Sequence, residues 1–353
     1  MSYLRKNIDA MKGYTPGEQP GEGERVVKLN TNENPYPPSP RVVEIYRQTD
    51  GSRLRRYPDP MGNKVRDKLA AMFAIRRENI LCGNGSDELL SLATRAFLDE
   101  GDVLVYPTPT YSLYPVLAEI QAAQVLEIPT LGDFSLPAGE LAGAKANLMF
   151  LCNPNAPTGV FTPVEAIGRI AERFSGVVVV DEAYVDFASD NALRLAKTLP
   201  NVMIFRTLSK SYSLAGLRFG YAVGSAELIE GLAKVKDSYN VDSVSIDVAL
   251  AALEDEAWML GNRGKIRSER TRLSARLAEF GFVVTPSEAN FILAAVPGGG
   301  GQACYEGLKS RGVLVRWWNL PRLADKLRIT VGTPEENDAL LAALEEMKKE
   351  VAP

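Results

Sequence analysis

Four short apolar runs mark the middle of the chain: DVLVY (102–106), NLMFLC (147–152), VVVVD (177–181) and VMIF (202–205). Each is nearly continuous in aliphatic residues rather than alternating, which predicts strands buried on both faces. Between and around them apolar residues recur at helical spacing, predicting helices over 62–74, 86–98 and 162–174. The last opens Thr162-Pro163-Val164-Glu165, which supplies a cap, a first-turn proline and a capping-box glutamate. Strands alternating with helices predict a mostly parallel sheet covered on both sides.

The texture changes at both ends. After about residue 245, long charged helices (255–280 and 334–350) surround FILAAV and KLRITV, predicting a second, smaller α+β unit. Residues 15–40, TPGEQPGEGERVVKLNTNENPYPPSP, carry too much proline and glycine for a long helix, and VVKL is their only strand-like stretch. The expected organisation is an extended arm (1–40), a large α/β domain (41–245) and a small domain (246–353).

Composition removes several function classes. The 353 residues are 46% hydrophobic and 24% charged with a net charge of −4, ordinary values for a soluble globular protein. With no basic block there is no electrostatic reason to bind nucleic acid or a membrane surface. No run reaches the roughly 18 apolar residues of a membrane span, and the start, MSYLRKNIDAMKGY, lacks a signal-peptide core. Cys82, Cys152 and Cys304 are widely spaced, which argues for a reducing compartment, the cytoplasm, and against a disulfide framework or a zinc site. Histidine is absent. Serine–histidine triads, cysteine–histidine pairs and histidine-ligated metals are therefore excluded, and acid–base chemistry falls to lysine, tyrosine, a carboxylate or a cofactor.

Ligands of open parallel sheets bind beyond the carboxyl ends of the strands. There the chain places Tyr111, the loop NPNAPTG (153–159), Asp181, Tyr184 and Lys210. Two anion-binding features accompany them. CGNGSDELLSLATRAF sets a glycine-rich turn before a helix with Ser86 as its expected N-cap. Asp87 suits a phosphate there only if its carboxylate caps the helix and faces away. Arg218, eight residues after Lys210, can supply a charge-assisted pair. Lysine, aspartate, aromatic ring and anion cup are the parts a pyridoxal 5′-phosphate enzyme needs. Lys210 would hold the aldehyde and then shuttle a proton, Asp181 would face the pyridine nitrogen, and Tyr184 would bond the ring's phenolic oxygen.

These motifs resemble the class II aminotransferases of the aspartate aminotransferase fold, a pyridoxal-phosphate-dependent, fold type I family. The similarity runs through YTPGEQP, LNTNENPYPPSP, RRYPDP, GNGSDE, PTYSLY, NPNAPTG, DEAY, TLSKSYSLAGLRFG, ANF and LRITVGT, nearly the whole chain. The arm and the RRYPDP segment point to the histidinol-phosphate branch. The resemblance implies that Lys210 is the Schiff-base lysine, Asp181 the pyridine partner and Tyr111 the stacked ring. It assigns the cofactor phosphate to Ser86, Asp87 (through its backbone), Ser209 and Arg218, with Thr207 nearby. Tyr57 matches a tyrosine reaching that phosphate from the other subunit, so a homodimer is implied. Arg328 matches the arginine for the carboxylate of glutamate or 2-oxoglutarate. With Arg316 and Tyr14 it would also serve the phosphate of histidinol phosphate, and Asn34 joins the substrate set. One departure stands out. The family's asparagine before Pro-Thr-Gly, which bonds the ring's phenolic oxygen, is Ala156 here. Either Asn155 or Tyr184 alone is expected to take over, or the ring oxygen is less well held. Trp317 and Trp318 read as packing.

Rival readings within the fold are an aromatic aminotransferase and a threonine-phosphate decarboxylase. A non-catalytic regulator would carry a DNA-binding segment, for which there is no room before residue 15 and no basic recognition helix. A nicotinamide dehydrogenase needs G-x-G-x-x-G after its first strand, and GNGSDE ends in Glu88.

Overall fold

The structure is a computed structural model, and it describes residues 2–21, 23 and 25–351. Strand β1 (Val27–Lys28) lies in the arm. Seven strands follow: β2 (Ile80–Gly83), β3 (Val103–Thr108), β4 (Gln124–Pro129), β5 (Leu148–Cys152), β6 (Val177–Asp181), β7 (Val202–Thr207) and β8 (Gly220–Val223). They form one sheet in the order β2-β8-β7-β6-β5-β3-β4. Strands β9 (Val283–Val284), β10 (Phe291–Ala295) and β12 (Lys326–Thr330) make a three-stranded antiparallel sheet, while β11 (Val313–Leu314) pairs in parallel with β1.

The large sheet is α/β and mostly parallel, as the four apolar runs require. Both faces of the central strands are buried, and their two sides alternate strictly. Met149, Leu151, Val178 and Val180 pack on one side, and Leu148, Phe150, Cys152 and Val179 on the other. Continuous aliphatic runs are what such a sheet needs. A third apolar cluster joins Leu29 of the arm to Ile266, Leu273, Ile292, Ile329 and Leu340 of the C-terminal segment.

One strand breaks the parallel rule, and it matters for the site. β8 runs antiparallel to both β7 and β2. Its first residue therefore lies at the rim where the other strands end, opposite Gly83 and Thr207. Arg218, two residues earlier, arrives at that rim by this reversal.

Two predicted caps are replaced. The helix expected from 162 begins at Val164 with Pro163 at the cap position and no side-chain cap. Thr162 is held instead by Asn153, whose Oδ1 accepts the Thr162 N–H at 2.7 Å and whose Nδ2 donates to its carbonyl at 3.1 Å. Likewise Gly85, at φ 83°, is the N-cap of the helix Ser86–Phe97, and Ser86 is its first residue. Glycine suits that left-handed position better than serine. No helix among the described residues is long and apolar enough to cross a membrane.

Candidate active site

The strand ends open into a cavity of about 600 Å³. Lys210, Asp181, Tyr184, Tyr111, Thr207 and Ser209 line it, as do Ser86, Asp87 and Arg218. So do Tyr14, Arg316 and Arg328, the groups expected to meet the substrate.

Alternation places Asp181. Residues 177, 179 and 181 face one side of the sheet and 178, 180 and 182 the other. Asp181 is 2% exposed and accepts from the Tyr114 hydroxyl at 2.9 Å and from the Ala183 N–H at 3.2 Å. Burial pushes its carboxyl up to about 6, with the Tyr114 bond pulling the other way. Its neighbour Glu182 points away from the cavity and pairs with Arg206, Nε to Oε2 at 2.8 Å. Of the DEAY carboxylates, only the first serves the site.

Lys210 follows β7 on a loop whose backbone is clamped by Asn34. The Asn34 amide donates to the carbonyls of Lys210 (3.0 Å) and Ser211 (3.1 Å). The amine donates to the Thr31 carbonyl at 3.3 Å and stands 5.7 Å from the centre of the Tyr184 ring. Burial, then the charge of Arg328, brings it down to about 8. A substantial neutral fraction near physiological pH is what a nucleophilic amine requires.

The anion end is built by close approach. A Cβ on Gly220 would lie 2.7 Å from the Gly85 carbonyl carbon and 2.8 Å from the Ser86 nitrogen. A Cβ on Gly85 would meet the Arg218 guanidinium at 2.7 Å. Bare glycine backbone thus lets β8 and Arg218 press against the helix start. The Asp87 carboxylate does not face away, as a phosphate beside it would suggest. It accepts from Arg218 and from the Tyr111 hydroxyl, both at 3.2 Å. The arginine neutralises it, so the carboxylate orients Arg218 and Tyr111 rather than capping the helix.

Opposite lies Arg328 on β12. Its Nη2 donates to the Asn30 carbonyl at 2.7 Å, its Nε is buried without a partner, and no carboxylate among the described residues pairs with it. An arginine held this way has donor capacity left for an anion. Arg316 sits beside it across a backbone bridge, bonded to the carbonyls of Pro16 (3.3 Å) and Thr15 (3.4 Å). Trp318 lies under both guanidiniums, at 5.3 Å and 5.2 Å. It is a wall of the cavity, whereas Trp317 packs on Tyr305 as expected. Tyr14 meets the Tyr111 ring edge-on at 6.0 Å.

Three expected residues stand elsewhere. Asn155 is buried and fully engaged, accepting from Thr110 and donating to Pro109 and Thr158, so it is not free to replace the amide lost at Ala156. Asn34 holds the lysine loop and is not on the cavity wall. Tyr57 lies outside the cavity, exposed and stacked on Tyr239 at 4.4 Å. Two contributors went unread. Tyr114, in the first turn of the helix Leu113–Gln121, meets the ring of Tyr111 edge-on at 5.7 Å, and its place in the tyrosine-rich PTYSLY stretch was the available signal. Asn32 donates to the Tyr184 hydroxyl at 3.0 Å. The string Asn30-Thr31-Asn32 touches Arg328, Lys210 and Tyr184 in turn, and its density of amides was the available signal.

The donor set fits a flat pyridine bearing a phosphate. It offers a buried carboxylate for a ring N–H, an aromatic face, a phenol, an amine, and a helix start with arginine and serines for the dianion. The model of the aminotransferase class I and II family matches residues 24–344. Histidinol-phosphate aminotransferase 1 of Nostoc sp. strain PCC 7120 is 46% identical over 346 residues, 98% of each chain. The histidinol-phosphate aminotransferase of Geobacter sulfurreducens is 44% identical over 347 residues, 98% of this chain and 99% of that one. Among solved structures, histidinol-phosphate aminotransferase from Sinorhizobium meliloti in complex with pyridoxal 5′-phosphate superposes with a TM-score of 0.90 at 26% identity, covering 100% of this chain and 99% of that one.

Proposed function

The chain belongs to the class I and II aminotransferase family, and from that premise we propose that it moves an amino group between L-histidinol phosphate and 2-oxoglutarate. The products are imidazole acetol phosphate and L-glutamate, a step of histidine biosynthesis, and the cofactor is pyridoxal 5′-phosphate. What supports this most is one observation: Lys210 and Asp181 line the same cavity as Arg316 and Arg328, which no acidic side chain among the described residues neutralises.

The cofactor supplies an electron sink that makes the proton on the substrate's Cα labile. The protein does the rest. Lys210 would hold the cofactor at its aldehyde, and its amine would move the proton at the substrate's Cα. Asp181, desolvated and steadied by Tyr114, holds a proton on the pyridine nitrogen. Tyr184 donates to the ring oxygen and Tyr111 covers the ring face. Ser86, Ser209, Thr207 and Arg218 bind the phosphate, with Asp87 fixing Arg218. Arg328 binds the carboxylate of glutamate or 2-oxoglutarate. With Arg316 and Tyr14 it binds the phosphate of histidinol phosphate in the other half-reaction. Tyr57, exposed and away from its own cavity, serves the site of a second copy in a homodimer. The compartment is the cytoplasm, in keeping with three buried, unbridged cysteines.

The discriminating experiment is a substrate panel with 2-oxoglutarate as acceptor. Two charge-assisted contacts to a phosphate should favour histidinol phosphate over phenylalanine by roughly a hundredfold or more in kcat/KM. Arg316→Ala should erode that preference. Equal or better turnover of phenylalanine would overturn the substrate assignment.

A further inference from the structure

Asn32 is locked in a way that its neighbours alone dictate. It is 1% exposed and sits at φ 55°, a left-handed conformation that asparagine tolerates better than most residues. Its N–H donates to Thr330 Oγ1 at 3.0 Å, and its carbonyl accepts from Asn290 Nδ2 at 3.0 Å. Because Thr330 Oγ1 already accepts that N–H, it directs its own proton to Asn32 Oδ1, at 3.2 Å. The amide orientation follows. Oδ1 faces Thr330, so Nδ2 faces Tyr184 and donates to its hydroxyl at 3.0 Å. A phenol oxygen that accepts on that side keeps its own proton for another partner, and none takes it among the described residues. Tyr184 lines the cavity, and that proton is available there.

Ala156 lines the same cavity and offers only a methyl group, while Asn155 is held by its loop. Tyr184 is thus the side chain free to donate at this part of the wall. We infer that Asn32, backed by Thr330, is a positioning residue that sets the Tyr184 hydroxyl as the donor to the cofactor's ring oxygen. The inference rests on the aminotransferase reading above. Burial keeps the Tyr184 phenol protonated across the working range, as a donor must be. The other charged or titratable groups facing it are Lys210, Arg328, Asp181, Cys152 and Tyr111.

The test is the pH midpoint of the visible absorption band of the purified holoenzyme. A donor stabilises the ring oxygen when the lysine–cofactor linkage is unprotonated, so losing it raises the midpoint. Tyr184→Phe should raise it by about one pH unit or more, the scale of a hydrogen bond to a charged acceptor. Asn32→Ala should raise it in the same direction. The double variant should shift it no further than Tyr184→Phe alone, since Asn32 acts through the phenol. Should Asn32→Ala fold poorly, Asn32→Asp keeps the shape and the Thr330 bonds but turns the donor into an acceptor, and the midpoint should again rise. Ala156→Asn should bring the midpoint of Asn32→Ala back down. If Tyr184→Phe raises the midpoint and neither Asn32 variant does, or if the double variant is additive, the positioning role is overturned while the enzyme assignment stands. A protein that forms no visible band with pyridoxal phosphate overturns the assignment itself.

Discussion

Asp181 shows how one buried side chain joins stability to function. Its carboxyl is pushed up to about 6 because burial penalises the charged form. Between the ordinary carboxylate range and that value, the folded chain holds a proton that the unfolded chain has released. Folded-state stability therefore falls as pH rises through this window, and the full penalty remains at pH 8. A cationic pyridine nitrogen beside the carboxylate removes the penalty. Asp181→Asn should accordingly stabilise the cofactor-free protein at pH 8, by about 1–3 kcal/mol, with the gain shrinking toward pH 4. It should also weaken cofactor retention at least roughly tenfold, through loss of a charge-assisted contact. Thermal melts across pH, paired with cofactor titration, check both. A destabilised cofactor-free protein at pH 8 with unchanged cofactor affinity would refute this account.

At the scale of elements, what could be read depended on which signal carries the information. The buried strands β3, β5, β6 and β7 announce themselves because both faces are apolar, so the residues at their ends were legible too: Tyr111, Asp181, Lys210. β4 was not legible, since QVLEIP is an exposed edge strand with little apolar pattern. β2 and β8 are four residues each, too short for periodicity to separate from a turn. Missing β8 also hid the reason Arg218 reaches the rim, which is a reversal of chain direction and not a property of the arginine. Tertiary contact overrode local preference at both misplaced caps. Thr162 answers to Asn153 across a loop, and the turn before Ser86 needs glycine because Arg218 and β8 crowd it. The arm reads as extended, and residues 25–39 hold only the two-residue strand β1, although a short helix spans Lys6–Ala10. Its asparagines read as substrate contacts or nothing. Asn34 and Asn32 instead hold Lys210 and Tyr184, a role set by partners 176 and 152 residues away.

At the scale of the whole molecule, the cavity is assembled from segments that only the complete fold brings together. The arm supplies Thr31 and Tyr14, the large sheet supplies the lysine and aspartate, and the C-terminal sheet supplies Arg328. Tyr57 is the exception, exposed and outside it. If it completes a neighbour's site, sedimentation equilibrium should give the mass of two chains, and Tyr57→Phe should loosen the cofactor without altering that mass. A fully active monomer would contradict the shared site. Everything proposed for the cavity turns on which amine bears the cofactor. Borohydride reduction of the holoenzyme followed by peptide mass mapping reads this directly. The account predicts a single pyridoxyl group on the peptide containing Lys210. A label on any other lysine, or none, would contradict it.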